Sequence, residues 1–170
     1  LQYYKSFMEW GMDGETNAFL EEVFLWLSEN LPLSPNPKKL CWGDSRIGNV
    51  LFEDFQVKSL LDWEMATIGD PLCDLAWGLT TDDVSSHGLN IEKLPGSIAN
   101  EEAIKFWEKN TGYSAENFFY YRILCLFKFS VIMIRVAKKL IHNEIMPLDS
   151  DFHVNNHVSN YLRQEFNEKN

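Results

Sequence analysis

The stretch Cys41-Trp42-Gly43-Asp44-Ser45-Arg46-Ile47-Gly48-Asn49, with Asp62 thirteen residues after Asn49, constrains the fold more than any other part of this chain. Asp44 and Asn49 make a D-x-x-x-x-N segment, and Asp62 lies in Leu60-Leu61-Asp62-Trp63-Glu64 at the end of an apolar run. These side chains can meet only if the backbone turns back between them. Val50-Leu51-Phe52 and Val57 to Trp63 read as two strands with Glu53 to Gln56 between them, so a hairpin returns Asp62 to the loop. One acid to handle a hydroxyl, plus an amide and a second acid to hold metal, is the set that kinase-type phosphoryl transfer requires. On this reading Asp44 is the catalytic acid, and Asn49 and Asp62, on the loop and the hairpin, form the metal and nucleotide-phosphate site.

The flanks read as helix. Phe19 to Leu31 places apolar residues at 19, 20, 23, 24, 27 and 31, with Glu21 and Glu22 opposite. Pro32, Pro35 and Pro37 end that helix and stiffen a connector, and Lys39 to Trp42 is a short extended piece. Residues 71–80 look helical with Asp70 as a possible cap, and Thr81 to Gly96 reads as a polar loop. Asn100 is expected to cap a helix ending near Thr111-Gly112, and Ser114 a long one from 115 to 140. A last helix, 151–167, carries Val158, Tyr161, Leu162 and Phe166 on one stripe. The fold class that follows is α+β, mostly α, with one small hairpin among five or six helices.

Composition narrows the partners. The formal net charge of −10 repels a phosphate backbone, so a nucleic-acid partner is not expected. Metal-bound nucleotide remains compatible, because a divalent ion offsets the charge. Phe118 to Ala137 is long and apolar, but Arg122, Lys128 and Arg135 interrupt it, which predicts a buried helix and no membrane span. Cys41, Cys73 and Cys125 are isolated, odd in number and apolar in context; they read as free thiols in a reducing cytosol. The expected location is therefore cytoplasmic. Leu1 opens the chain without a methionine, inside what reads as a helix, which suggests a processed or truncated product.

Three blocks in order resemble the aminoglycoside phosphotransferase and choline kinase family. That family's pattern is H-G-D-x-x-x-x-N, then [I/L]-D-[F/W]-[E/G], then G-D-P-x-x-D-L-A. This chain reads W-G-D-S-R-I-G-N, L-D-W-E, and Gly69-Asp70-Pro71-Leu72-Cys73-Asp74-Leu75-Ala76. The resemblance implies a protein-kinase-like C-terminal lobe over residues 1–170 and transfer of a phosphoryl group from ATP, or alternatively GTP, to a small-molecule hydroxyl. It implies Mg2+ as cofactor. It also implies that Asp44 orients the substrate hydroxyl, that Asn49 and Asp62 hold magnesium, and that Asp74 braces the catalytic loop. Glu64 and Arg46 are substrate-side candidates. The W-G-D-S-R-I-G-N and L-D-W-E wording is further similar to kinase-like domains associated with acyl-CoA dehydrogenases, which would favour hydroxylated acyl or other small-molecule acceptors over antibiotics and make Arg46 an anion-binding candidate.

Two departures stand against the pattern. Trp42 replaces the family's usual His, and an indole can donate a hydrogen bond but not accept one. Trp42 would then brace the loop by different bonds. Nothing before Asp44 resembles the family's nucleotide-covering lobe: Lys5, Lys38 and Lys39 are the lysines there, and none lies in a V-A-I-K-like strand. The expected partner is that missing N-terminal lobe, the isolated lobe is expected to be inactive, and the oligomeric state is left open. The alternatives are a pseudokinase or binding module without turnover, and a metal-dependent hydrolase using the same acids. His153 and His157, four apart, would share a helix face but lack the glutamate and third ligand of a zinc site.

Overall fold

A computed structural model describes residues 1–169. The chain divides into two units, Leu1–Leu31 with Ile123–Asn170, and Pro32–Arg122.

The first unit is helical. Helix α1 spans Gln2–Met12 and ends where Asp13 turns left-handed (φ 54°). Helix α2 spans Ala18–Glu29; Asn17 caps it by accepting from the Leu20 N–H at 3.1 Å. Its buried face is Leu20, Val23 and Leu27, the three-and-four spacing read from the sequence. Helix α5 spans Phe118–His142, and its Leu126, Phe127, Val131, Ile134 and Ala137 are fully buried. Two of its cations meet aromatic faces: Arg135 lies 3.8 Å from the Trp10 ring centre and Lys128 5.2 Å from that of Tyr4. No helix among the described residues is long and apolar enough to cross a membrane.

Helix α6 spans His157–Lys169, starting six residues later than its periodicity suggested. The reason is a cap that the sequence reading missed. The Asn156 side-chain oxygen accepts from the N–H groups of Val158 (3.0 Å) and Ser159 (3.1 Å). Residues before it form turns on Asp151, whose carbonyl takes the N–H groups of Val154 and Asn155. The expected stripe holds, with Val158, Tyr161, Leu162 and Phe166 all buried. His153 falls outside the helix, 3.3 Å from Glu15, so the two histidines do not share a face. Among the described residues no cluster of His, Cys, Asp or Glu is arranged to hold a metal ion.

The second unit carries two small antiparallel sheets. Strand β1, Lys39–Cys41, pairs with β4, Thr67–Gly69, in the register Lys39 to Gly69 and Cys41 to Thr67. Strand β4 was not legible in the sequence, being three residues long. The hairpin joins β2, Val50–Glu53, to β3, Gln56–Leu60, with Val50 opposite Leu60. Its turn residues Asp54 and Phe55 both have positive φ (49° and 60°), the backbone of the tight turns that suit twisted strands. Strand β3 stops at Leu60, so Asp62 lies beyond the strand expected to carry it. Cys41 and Cys125 are buried, Cys73 is half-buried, and none of the three forms a disulfide.

Helix α3 spans Leu72–Ser86 and overturns the loop expected from Thr81 onward. Thr81, Asp83 and Ser86 there are buried. Asp83, 1% exposed, receives Arg122 Nη1 at 2.6 Å, Lys93 Nζ at 2.7 Å and the Asn100 amide at 2.7 Å. Asn100 is therefore not the cap of helix α4, Asn100–Thr111; its side chain points to Asp83, and Ala99 stands at the cap position. The acids of the first turn and the left-handed Gly112 (φ 72°) at its end are as expected. Ser114 Oγ accepts from Glu116 N–H, and α5 begins three residues later than the sequence suggested.

Burial pushes the Asp83 carboxyl up, but bonds from Lys93 and Arg122 outweigh it and hold the group below its ordinary value. A carboxyl lowered by folding stabilises the fold above its unfolded value and loses that contribution as pH falls through the folded one. Denaturant melts of the wild type should therefore weaken below the ordinary carboxylate range. Asp83→Ala should cost about 3–5 kcal/mol at neutral pH, because it removes the buried carboxylate that Arg122 pairs with.

Candidate active site

The Gly43–Asn49 loop is held from three sides. Helix α3 supplies the first. Both carboxylate oxygens of Asp74 accept loop N–H groups, from Trp42 at 2.7 Å and Gly43 at 2.8 Å. The Asp74 carbonyl takes the Ser45 hydroxyl at 2.6 Å. One turn on, Gly78 lies so close to the loop that a Cβ there would be 2.9 Å from the Ser45 carbonyl oxygen. The second side is the Met65 backbone. Gly43 has φ +93°, and a Cβ on it would stand 2.2 Å from the Met65 carbonyl oxygen, so only glycine fits. The third is the hairpin, whose Leu61 N–H bonds the Asn49 carbonyl at 2.8 Å.

Asp44 sits half-buried in this frame. Its Oδ1 accepts Trp77 Nε1 at 2.7 Å. Its Oδ2 accepts Asn49 Nδ2 at 2.7 Å and Arg46 Nε at 3.1 Å. Asn49 is buried and ends a single 3-10 turn over Ile47–Asn49; its amide nitrogen also bonds the Asp44 carbonyl at 3.1 Å. With the amide N–H groups turned to Asp44, the Asn49 side-chain oxygen is its remaining acceptor. Arg46 is exposed.

Asp62 is exposed and left-handed (φ 61°, ψ 63°), an uncommon backbone for a residue other than glycine. It precedes a 3-10 turn over Trp63–Met65. The peptide just before it is fixed at both ends: Leu61 N–H bonds Asn49, and Trp42 Nε1 bonds the Leu61 carbonyl at 2.7 Å. Trp42 thus donates across to the hairpin while its backbone N–H is held by Asp74. Trp42→Phe keeps the bulk and removes that donor, leaving the Leu61 carbonyl without it. The expected loss is about 1–3 kcal/mol by urea denaturation.

The structure gathers Trp42, Asp44, Arg46, Asn49 and Asp74 into one hydrogen-bonded network and joins Asp62 to it through Leu61. Glu64 lies outside the network, exposed on the turn after Asp62. Asp70 does not face the loop; it accepts from Asn36 (3.0 Å), the Leu72 N–H (2.9 Å), Tyr121 (3.3 Å) and the Ser34 hydroxyl, tying the proline connector to helix α3. Trp77 is the site residue that the sequence reading missed. Its signal was its place three residues after Asp74, on the same face of the helix, with a donor-only nitrogen.

Asn49 and Asp62 offer oxygen donors only. The Asp62 carboxylate makes no hydrogen bond or ion pair among the described residues. Such a hard, sparse set suits magnesium, which takes one or two protein oxygens and completes its shell with phosphate and water.

A profile of the phosphotransferase enzyme family matches residues 5–105, more than half of the chain. The chain belongs to the phosphotransferase enzyme family. It resembles a crystal structure from Ralstonia eutropha JMP134, of a protein assigned as an aminoglycoside phosphotransferase, with a TM-score of 0.70 at 16% identity. The match covers 96% of this chain and 51% of that one, and at this identity it shows a shared fold. Acyl-CoA dehydrogenase family member 11 from Gallus gallus is 33% identical over 138 residues, 73% of this chain and 18% of that protein. The Homo sapiens protein of the same name is 42% identical over 59 residues, 34% of this chain and 8% of its own length. The chain spans less than a fifth of the length of these relatives.

Proposed function

We propose that the chain is the acceptor-and-metal lobe of a magnesium-dependent phosphotransferase that moves the γ-phosphoryl group of ATP, or of GTP, to a small-molecule hydroxyl. The observation that carries this reading is the closure of the loop on itself, Asn49 Nδ2 to Asp44 Oδ2 at 2.7 Å, with the residue before Asp62 bonded to the Asn49 carbonyl through the Leu61 N–H at 2.8 Å. It supports a proton acceptor at Asp44, with Asn49 and Asp62 offering oxygens compatible with magnesium, within a phosphotransferase family fold.

In the proposed reaction Asp44 orients the acceptor hydroxyl and takes its proton. The acceptor oxygen bonds the γ-phosphorus as the bond to the β–γ bridging oxygen breaks, and the nucleoside diphosphate leaves. Asn49 and Asp62 would hold magnesium, which when bound neutralises charge on the phosphate oxygens. Asp74 and Trp42 keep the loop in register, so that little reorganisation accompanies the reaction. Arg46, exposed and paired with Asp44, would exchange that partner for an anionic group on the acceptor. The names of the acyl-CoA dehydrogenase relatives favour a hydroxylated acyl acceptor over an antibiotic, and Glu64 would line the same side. A cytosolic setting suits three cysteines that form no disulfide.

The nucleotide-covering lobe is proposed to come from sequence outside these 170 residues. The fold match supports this, since half of the Ralstonia protein lies outside it. A binding module without turnover is the second reading, favoured by the Arg46–Asp44 ion pair, which occupies the proposed base. The test is release of ADP from Mg-ATP by the natural protein carrying this chain, with and without a hydroxylated acyl-CoA. Acceptor-dependent ADP supports the transferase. Phosphate release without an acceptor would indicate a hydrolase, and nucleotide binding without ADP would indicate the binding module.

A further inference from the structure

We infer that Trp77 is a positioning residue for Asp44, a role that rests on the phosphotransferase reading and adds a residue to it. An aspartate carboxylate rotates broadly about its last torsion unless its oxygens are held. Here one oxygen is held by Asn49 and the other by Trp77, whose Nε1 lies 2.7 Å from Oδ1. Arg46 also touches Asp44, but it is exposed and can leave when another anion arrives. Trp77 cannot: it is 4% exposed. Helix α3 is fixed against the loop on either side of it, by Asp74 on the N–H groups of Trp42 and Gly43 and by Gly78 packed on the Ser45 carbonyl. An indole has one polar atom, and that atom only donates. Trp77 can therefore hold Oδ1 without competing for the acceptor's proton. A hydroxyl or carboxylate at this place would compete for it.

Two measurements on the natural protein test this. Trp77→Phe keeps an aromatic ring in the helix and removes the N–H. Its kcat should fall roughly tenfold or more while both KM values stay within about twofold, the signature of lost orientation of a reacting group. In 15N-labelled protein, the indole signal that disappears in Trp77→Phe identifies Trp77, and Asp44→Asn should move that same signal while leaving the Trp26 indole in place. A merely structural tryptophan would lower stability and leave the kcat-to-KM split absent. A Trp77→Phe enzyme with wild-type kcat, or an indole signal indifferent to Asp44→Asn, overturns the inference. A wild type with no turnover contradicts the phosphotransferase reading instead, and the indole signal then decides whether Trp77 orients Asp44 at all.

Discussion

Asp44→Asn should lower acceptor-dependent phosphoryl transfer by about 10²–10⁴-fold, the usual worth of a positioned general base. The substitution is nearly isosteric, so the fold should be retained at the cost of one hydrogen bond, about 1–3 kcal/mol, and nucleotide binding should change little. The amide can still accept from Trp77 or Asn49 at its oxygen, but its nitrogen cannot accept from the other donor. It also cannot take the hydroxyl proton. The measurement is kcat with Mg-ATP and a hydroxylated acyl-CoA, set beside the affinity for Mg-ATP. A fall in kcat with preserved nucleotide binding is expected. Equal activity in the variant would show that Asp44 does not handle the proton. The same pair of numbers separates Asp44 from Asp62. Asp62→Asn removes charge from the proposed metal ligand and should weaken magnesium binding first.

Gly43→Ala should be the most damaging single methyl group in the second unit. The backbone at Gly43 is in the region open to glycine (φ +93°), and the added Cβ would meet the Met65 carbonyl oxygen at 2.2 Å. That oxygen belongs to the backbone of the last residue of the 3-10 turn after Asp62, two residues before strand β4, so it cannot swing aside as a side chain would. Relief requires the loop and the Asp62 turn to separate, which breaks the geometry joining Asp44 to Asp62. The expected cost is about 3 kcal/mol or more, read from urea melts, together with loss of activity. Gly48→Ala is the control. Its Cβ would meet only the flexible end of Arg46 at 3.9 Å, with no positive φ, and it should be tolerated to within about 0.5–1 kcal/mol.

The parts of this molecule that were legible in its sequence are those governed by period and by local chemistry. The mostly helical α+β class followed from stripes such as Leu20, Val23 and Leu27, and from the alternation that marks the hairpin. The order of Asp44, Asn49 and Asp62 suggested a loop returning on itself, and the backbone brings the three into one region. What was not legible depended on distant partners. Thr81 to Ser86 looked like a loop because it is polar, yet Asp83 is buried against Arg122, Lys93 and Asn100 from elsewhere in the chain, and the hydroxyls of Thr81, Ser85 and Ser86 bond carbonyls one turn back in the helix. Asn100 looked like a cap for the same reason. The start of α6 was misplaced because Asn156, not the earlier acids, takes the free N–H groups. Strand β4 was too short to show a period. Trp77 read as one more apolar helical residue, because nothing local reveals that an indole N–H will meet a carboxylate 33 residues away.

The arrangement of Asp44, Asn49 and Asp62 as a metal and phosphate site is most directly tested by titrating 15N-labelled protein with Mn2+ and ATP and following paramagnetic broadening. The account predicts that broadening centres on the backbone signals of residues 44–49 and 61–64, competes with Mg2+, and is strongly reduced in Asp62→Asn. Broadening centred on another acidic surface, such as Glu21, Glu22 and Glu29 of α2, with Asp62→Asn indistinguishable from wild type, would contradict it.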